Sequence, residues 1–194
     1  MLVTGAGKST FAPSFLPIGL SSFDYDRVFQ EVYNSMPDSE LREVFARDSA
    51  AKKFETAIAE AQETGSDFCY ETNFDTYPIY WVEEFKKKGY NLNLIFFCLE
   101  NQEIAKHRIQ VRTEFWGHFV DDKTIETKWK AGYQNVNKHF ELFDNILFVD
   151  NSKQNEIYTN ILQIENGEFV LMSESIPEYF SHRLPDIYDL FLKA

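Results

Sequence analysis

Residues 5–10 read Gly5-Ala6-Gly7-Lys8-Ser9-Thr10, a Gly-x-Gly-Lys-Ser pattern at the start of a predicted helix. In such a loop the glycines let main-chain N–H groups surround a phosphate, and the lysine reaches the β- and γ-phosphates. The serine hydroxyl binds a magnesium ion. The pattern therefore predicts a P-loop in which Ser9 is the metal ligand. The alternative is a glycine turn that happens to precede a helix.

The residues before this loop depart from the usual pattern. The full motif has a first glycine five positions before Gly7, where this chain has Leu2. Only Met1 to Thr4 precede the glycines, and a typical strand has about five residues. We expect either that the start of the chain is missing or that the protein has shortened its first strand.

Composition and charge limit the possible functions. The chain has 194 residues, of which 44% are hydrophobic and 16% aromatic, so we expect one globular domain. The formal net charge of −12 argues against nucleic acid and anionic membranes as partners, although a local nest of N–H groups can still bind a nucleotide. Cys69 and Cys98 lie in apolar runs and are predicted to be buried free thiols. Without a transmembrane segment, the chain is predicted to be cytoplasmic.

Short apolar runs alternate with helical patterns along most of the sequence. This alternation predicts an α/β fold with a parallel sheet. The long helix between Ser39 and Gly65 is predicted to be amphipathic, with an apolar face of Leu41, Val44, Phe45, Phe54, Ile58 and Ala61. Residues 18–23 lead into a short strand predicted at 23–26, which ends in two acidic residues. Further strands are predicted at 67–72, 92–99 and 146–150, and helices at 27 onward, 39–65, 77–88, 102–114 and 122–142.

The C-terminal part has a different pattern. Residues 157–164 and 169–172 flank Asn166-Gly167, which predicts a β-hairpin. A last helix is predicted from Ile176, interrupted by Pro185. We expect a single domain, 1–194, in which residues 155–194 form an appended hairpin and helix.

Polar residues follow the predicted strands, where open α/β sheets bind their ligands. Asp26 is the preferred catalytic base, with Asp24 in reserve, and Asp26 could also cap the following helix. Glu71 is predicted to hold an acceptor hydroxyl. For each carboxylate alone, a solvated strand end or a helix cap is the alternative. The candidate positions are Asp24, Asp26, Glu71, Thr72, Asn73, Asp150, Asn151 and Ser152.

Two arginines supply candidate positive charge for a transferring phosphate. Arg108 and Arg112 are four residues apart, on one face of a predicted helix. The loop from Arg112 to His118 could close as a lid. The alternative is a solvated or locally paired arginine pair.

Taken in order, these motifs resemble the zeta toxin family from residue 1 to about residue 172. The resemblance implies a P-loop kinase fold with a mostly parallel central sheet flanked by helices, a helical lid, and a C-terminal hairpin and helix. It also implies ATP- and Mg²⁺-dependent phosphorylation of a sugar-nucleotide hydroxyl, as on UDP-N-acetylglucosamine. The matching segments are Gly5–Thr10, Asp24-Tyr25-Asp26, Tyr70-Glu71-Thr72, Arg108 with Arg112, Gly117-His118, Asn135, and Phe148 to Ser152.

The resemblance assigns a role to each matching residue. Lys8, Asp26, Arg108 and Arg112 are the implied catalytic residues. Ser9 is the implied metal ligand. The implied ATP-binding residues are Gly5, Ala6, Gly7, Lys8, Ser9, Thr10 and Asn151, and the implied substrate-binding residues are Asp24, Glu71, Thr72 and His118.

Three departures from the family pattern leave alternatives open. Leu2 replaces a glycine, Thr4 stands where asparagine is common, and residues 127–131 carry lysines where arginines are usual. Lysine lacks the bidentate fork of arginine. One alternative is therefore a catalytically impaired nucleotide-binding module. Another is the toxin half of a pair whose partner is a small antitoxin protein.

Overall fold

A computed structural model describes residues 5–116, 121–153, 157–171 and 173–193, without the side chains of 112–116 and 171. Two compact units are present. One contains the chain up to Lys8 and from Asn73 onward, and the other is Ser9–Thr72. Each unit contains helices and a parallel strand pair, so the predicted α/β class with parallel pairing is confirmed. Leu2 and Thr4 lie outside the described residues.

The Ser9–Thr72 unit contains a two-stranded parallel sheet and two long helices. β1 (Ser22–Asp24) pairs with β2 (Cys69–Glu71), with Asp24 opposite Glu71. Before β1, α1 (Lys8–Phe11) continues into a 3-10 turn, Ala12–Ser14. α2 (Tyr25–Ser35) and α3 (Arg42–Thr64) lie between the strands. The order of elements therefore brings the carboxyl ends of β1 and β2 side by side.

Aromatic rings and small residues fill this unit. Phe54 of α3 packs against Phe23, Phe68 and Tyr70, with ring centroids 5.1–6.1 Å apart. Burial raises the pKa of Tyr70 to about 12. The left-handed Gly65 ends α3, as its sequence position indicates.

The predicted buried face of α3 is wrong in its N-terminal part. Leu41 is 72% exposed, and Val44 and Phe45 are each 56% exposed. The inward positions near this end are Ala46 and Ala50, both fully buried. The buried side chains in this part of α3 are therefore small. A prediction based on large apolar residues selects the exposed face of the helix instead.

The start of α2 also differs from expectation. The helix begins at Tyr25, so Asp24 is its N-cap and accepts a hydrogen bond from Arg27 N through Oδ1 at 3.1 Å. Asp26 is instead in the first helical turn. The helix is therefore capped by Asp24, and the prediction that Asp26 caps it is wrong.

In the other unit, the described residues form a four-stranded sheet. Its order is β3 (Asn93–Cys98), β4 (Asn145–Asp150), β5 (Thr159–Glu165) and β6 (Glu168–Leu171). Only β3 and β4 are parallel, and the other pairs are antiparallel. Asn166 and Gly167, both with positive φ, connect β5 to β6. Since β5 pairs with β4, the hairpin continues the sheet, a relationship that the sequence pattern does not reveal.

Within the described ranges, this unit also contains the helices α4 (Tyr80–Lys87), α5 (Gln102–Trp116), α6 (Asp122–His139), α7 (Glu178–Arg183) and α8 (Pro185–Phe191). α5 extends through Trp116, so residues 112–116 are helical and not part of a loop. The rest of the predicted lid, residues 117–120, lies outside the described residues. No helix in the described part of the chain is long and apolar enough to cross a membrane.

The C-terminal helices complete the core beneath the sheet. Phe180 of α7 is fully buried and its ring packs edge-on against Phe148 of β4, with centroids 5.1 Å apart. The Arg183 guanidinium lies over the Trp129 and Tyr133 rings and donates to the carbonyl oxygens of Leu99, at 2.5 Å, and Glu100. α7 therefore ties the chain just after β3 to α6.

The two cysteines are free thiols, as predicted, but differ in environment. Cys98 is fully buried at the end of β3, whereas Cys69 in β2 is half-buried. Burial raises the pKa of the Cys98 thiol far above its usual value, and the nearby Asp150 carboxylate adds to this shift. Cys98 is therefore a neutral core residue.

Candidate functional site

The glycine loop has the backbone geometry that its sequence requires. Gly5 and Gly7 have φ values of +79° and +88°, a region that residues with side chains rarely adopt. A Cβ at Gly5 would lie 2.7 Å from the Ala105 carbonyl oxygen. Ala6 is fully buried, and its carbonyl oxygen accepts a 2.8 Å hydrogen bond from Asn151 Nδ2. Helix α5 and the end of β4 thus fix the start of the loop.

Lys8 reaches a partner that follows β2 in the chain. Its Nζ donates a 2.5 Å hydrogen bond to Asn73 Oδ1. The amide oxygen is neutral, so this contact does not neutralise the charge of the ammonium. An ammonium group has three protons to donate. The contact with Asn73 therefore positions the lysine side chain without neutralising its charge.

The Ser9 hydroxyl is near two carboxylates of its own unit. Its Oγ lies 3.1 Å from Asp24 Oδ2 and 2.8 Å from Glu71 Oε2. The second oxygen of Glu71 accepts a 2.9 Å hydrogen bond from Ser22 Oγ. The parallel pairing of β1 with β2 places Asp24 beside Glu71, and the result is a cluster of hard oxygen donors around one hydroxyl.

These oxygens could provide the protein ligands of a magnesium ion. Mg²⁺ prefers oxygen ligands, and proteins usually hold it through one or two carboxylates together with water and substrate phosphates. Ser9, Asp24 and Glu71 match that donor chemistry. Among the described residues, no group of three or more His, Cys, Asp or Glu could hold a metal ion. The donor chemistry of these three residues therefore fits a magnesium ion whose other ligands are phosphate and water.

The other predicted residues of the Ser9–Thr72 unit are less enclosed. Asp26 is exposed in the first turn of α2, so its carboxylate is open to solvent. Thr10 follows Ser9 in α1 and is exposed, whereas Thr72 is half-buried directly after β2. None of these positions contradicts its predicted role, and each role stays a prediction.

Arg108 lies beside the segment that follows β4. Its Nη2 donates a 3.3 Å hydrogen bond to the Lys153 carbonyl oxygen, and its Nη1 is buried without a hydrogen-bond partner among the described residues. Burial lowers the pKa of the guanidinium, and the Asp150 carboxylate opposes this shift. Arg112 is in α5, but its side chain is not described, and His118 lies outside the described residues.

Sequence reasoning did not give roles to three residues that the structure brings together. Asn73 is a candidate position in the sequence without an assigned role, and in the structure it accepts a hydrogen bond from Lys8. Asn135 of α6 donates to the carbonyl oxygens of Phe74 and Asp75, at 2.8 and 3.3 Å. A Cβ at Gly132 would lie 2.8 Å from the Asn73 carbonyl oxygen. The Gly-x-x-Asn spacing on one helix face was the available signal.

Comparisons with known proteins identify similar chains by fold and by sequence. The fold resembles a solved chain from the PezAT chromosomal toxin–antitoxin system of the human pathogen Streptococcus pneumoniae, with a TM-score of 0.61 and 13% identity. The similarity covers 98% of this chain and 85% of that chain. No curated protein matches the sequence. The sequence model described as Zeta toxin matches residues 3–163, and the chain therefore belongs to the zeta toxin family.

Proposed function

We propose that this protein is an ATP- and Mg²⁺-dependent kinase that phosphorylates a hydroxyl of a sugar nucleotide similar to UDP-N-acetylglucosamine. The observation that carries the proposal is the Ser9 hydroxyl between the Asp24 and Glu71 carboxylates, directly after a lysine in a phosphate-loop sequence. A kinase needs held phosphates, neutralised charge and an aligned acceptor. Membership of the zeta toxin family supports the same activity.

The chain's own residues divide the work as follows. Main-chain N–H groups of residues 5–10 and the Lys8 ammonium bind the ATP phosphates. Ser9 and Asp24 hold Mg²⁺, which offsets the negative charge of the phosphates when it is bound. Asn151 supports the loop through the Ala6 carbonyl oxygen. Arg108, Arg112 and His118 supply further donors to the nucleotide and acceptor.

Asp26 is proposed as the general base. Its carboxylate accepts the proton of the acceptor hydroxyl as that oxygen forms a bond to the γ-phosphorus. The bond from the γ-phosphorus to the bridging oxygen of ADP breaks in the same step, and ADP leaves. Glu71 and Thr72 hold the acceptor. The exposure of Asp26 supports this role, because a base must be open to its substrate.

The test is product formation with a panel of sugar nucleotides, ATP and magnesium, followed by mass spectrometry. We expect a gain of one phosphate on UDP-N-acetylglucosamine, and a loss of about 10²–10⁴-fold in kcat for Asp26→Asn. Asp67→Asn is the matched control, since Asp67 is an exposed aspartate of the same unit. ATP binding without any product would favour the impaired nucleotide-binding module. If the protein neither binds ATP nor forms a product, both the kinase and the impaired nucleotide-binding module are overturned.

We also propose that the protein is a toxin with a small antitoxin protein as its partner, and this proposal rests on a separate observation. The structural relative belongs to a toxin–antitoxin system. Induced expression in bacteria should slow growth for the wild type and for Asp67→Asn but not for Asp26→Asn. Co-expression of a small protein encoded beside this chain should restore growth and co-purify with it. Equal growth of all strains would contradict the toxin role.

A further inference from the structure

We infer that Asn73 is a positioning residue for Lys8, and that Gly132 and Asn135 of α6 position Asn73. The inference rests on the proposed function, since it concerns how the phosphate-binding lysine is held. All four residues belong to the same compact unit. Their contacts form one connected path from the middle of α6 to the lysine ammonium.

The path starts at Gly132, where the chain after β2 touches α6. A Cβ at this position would lie 2.8 Å from the Asn73 carbonyl oxygen, closer than real Cβ atoms approach other atoms. That oxygen belongs to the main chain, so relief requires a backbone shift. Glycine at position 132 therefore sets how closely the Asn73 backbone approaches the helix.

Asn135 fixes the next two residues. It lies three positions after Gly132, on the same side of α6, and its Nδ2 donates to the Phe74 oxygen at 2.8 Å and the Asp75 oxygen at 3.3 Å. One amide group thus holds two consecutive carbonyl groups. This contact restricts the rotation of the peptide units after Phe74 and Asp75, and so fixes the direction of the chain that leaves Asn73.

Phe74 shows that this backbone is held against its own preference. Its φ is +56°, a left-handed conformation that is unfavourable for a residue with a bulky side chain. The side chain is fully buried, and its ring lies 6.1 Å from the ring of Phe143. Such a conformation persists where surrounding contacts determine it, and it is typical of functional sites.

The consequence for Lys8 is a side chain that is already ordered before a ligand binds. Free lysine side chains lose considerable rotamer freedom when they are fixed, and prior ordering improves affinity. Because the Asn73 oxygen is neutral, it does not compete with phosphate for charge. Asn73→Ala should therefore weaken ATP binding about fivefold, which is the usual effect of one hydrogen bond. Asn73→Asp should weaken it further, since a carboxylate would compete for the ammonium.

Two measurements test the inference on the full chain. The first is the rate of Lys8 acetylation by acetic anhydride, quantified by peptide mass spectrometry without nucleotide. Asn73→Ala and Asn135→Ala should each increase this rate several-fold. Gln134→Ala is the matched control, because Gln134 is the exposed amide next to Asn135 on α6. It should leave the rate unchanged.

The second measurement is calorimetric binding of ATP with magnesium in a double-mutant cycle. Asn135→Ala should weaken binding in the wild-type background and have no further effect in the Lys8→Ala background, because it acts through Lys8. Equal effects in both backgrounds, or unchanged Lys8 labelling in the Asn73 and Asn135 variants, would overturn the inference. Failure of the wild type to bind ATP would instead overturn the proposed function, and the labelling result would still decide the inference.

Discussion

Asp24 and Glu71 are register partners at the last positions of the parallel strands β1 and β2, and both carboxylates reach the Ser9 hydroxyl. Like charges on directly opposite strand positions destabilise a sheet. A bound cation would relieve this repulsion. We therefore expect the free protein to be less stable than the protein with a cation bound beside these two carboxylates.

Asp24→Asn separates the charge of this residue from its capping role. Asparagine caps helices about as well as aspartate, so the N-cap of α2 should survive. We expect the free energy of unfolding without ligand to stay equal or rise by up to about 1 kcal/mol. The stabilisation by ATP with magnesium should fall. Asp24→Ala is the control, since it also loses the cap and should cost about 1 kcal/mol in thermal or urea unfolding. A large loss of ligand-free stability in Asp24→Asn would contradict the repulsion.

Ser9→Ala should raise the magnesium concentration needed for ATP binding. The substitution removes the only non-carboxylate oxygen of the Ser9, Asp24 and Glu71 cluster. A magnesium titration at fixed ATP should shift by about tenfold, whereas binding of ATP in EDTA should change little. Ser14→Ala, at an exposed serine five residues later, provides the comparison. Identical titrations for Ser9→Ala and the wild type would argue against Ser9 as a ligand.

Gly5→Ala should destabilise the protein more than Gly19→Ala. Both glycines have left-handed φ values, +79° and +91°, so both variants carry about 1–2 kcal/mol of backbone strain. Only Gly5 adds a contact with a main-chain oxygen, at 2.7 Å, which adds about 1–3 kcal/mol. For a chain of this size, each kcal/mol lowers Tm by about 2–4 °C. Similar Tm values for the two variants would show that the loop can shift away from Ala105.

Phe180→Ala should destabilise the protein by about 3–5 kcal/mol, as expected for a buried aromatic residue. Phe180 lies beyond residue 163, where the family match ends, yet its ring contacts Phe148 in β4. Leu192→Ala, at a residue that is 63% exposed, should change the free energy of unfolding by less than about 0.5 kcal/mol. Urea unfolding measures both. A small effect of Phe180→Ala would mean that α7 is not part of the cooperative core.

The sequence predicted the fold class and the elements near the phosphate loop because their signals are local. Asp24 and Glu71 each follow a short apolar run, and parallel strands bring such ends together. The order of a glycine loop, lysine and hydroxyl is likewise readable within six residues. These predictions needed no knowledge of distant contacts.

The contacts that order the loop were not readable in the same way. Asn73 meets Lys8 across 65 residues, and Gly132 matters only because a main-chain oxygen approaches it. No periodicity in the sequence indicates either of these two contacts. On α3 the error had a different cause: Ala46 and Ala50 carry the buried contact, and alanine gives a weak apolar signal beside Val44 and Phe45.

Because the Cys98 thiol is buried, its reaction with a thiol reagent reports the opening of the fold around β3 in any variant. Two cysteines are present, and only Cys69 has any exposure in the folded state. A brief pulse of maleimide should therefore add one label to a folded molecule and two to an opened one. Intact-mass spectra of the purified protein, taken after increasing labelling times, would report the rate at which the Cys98 thiol becomes exposed.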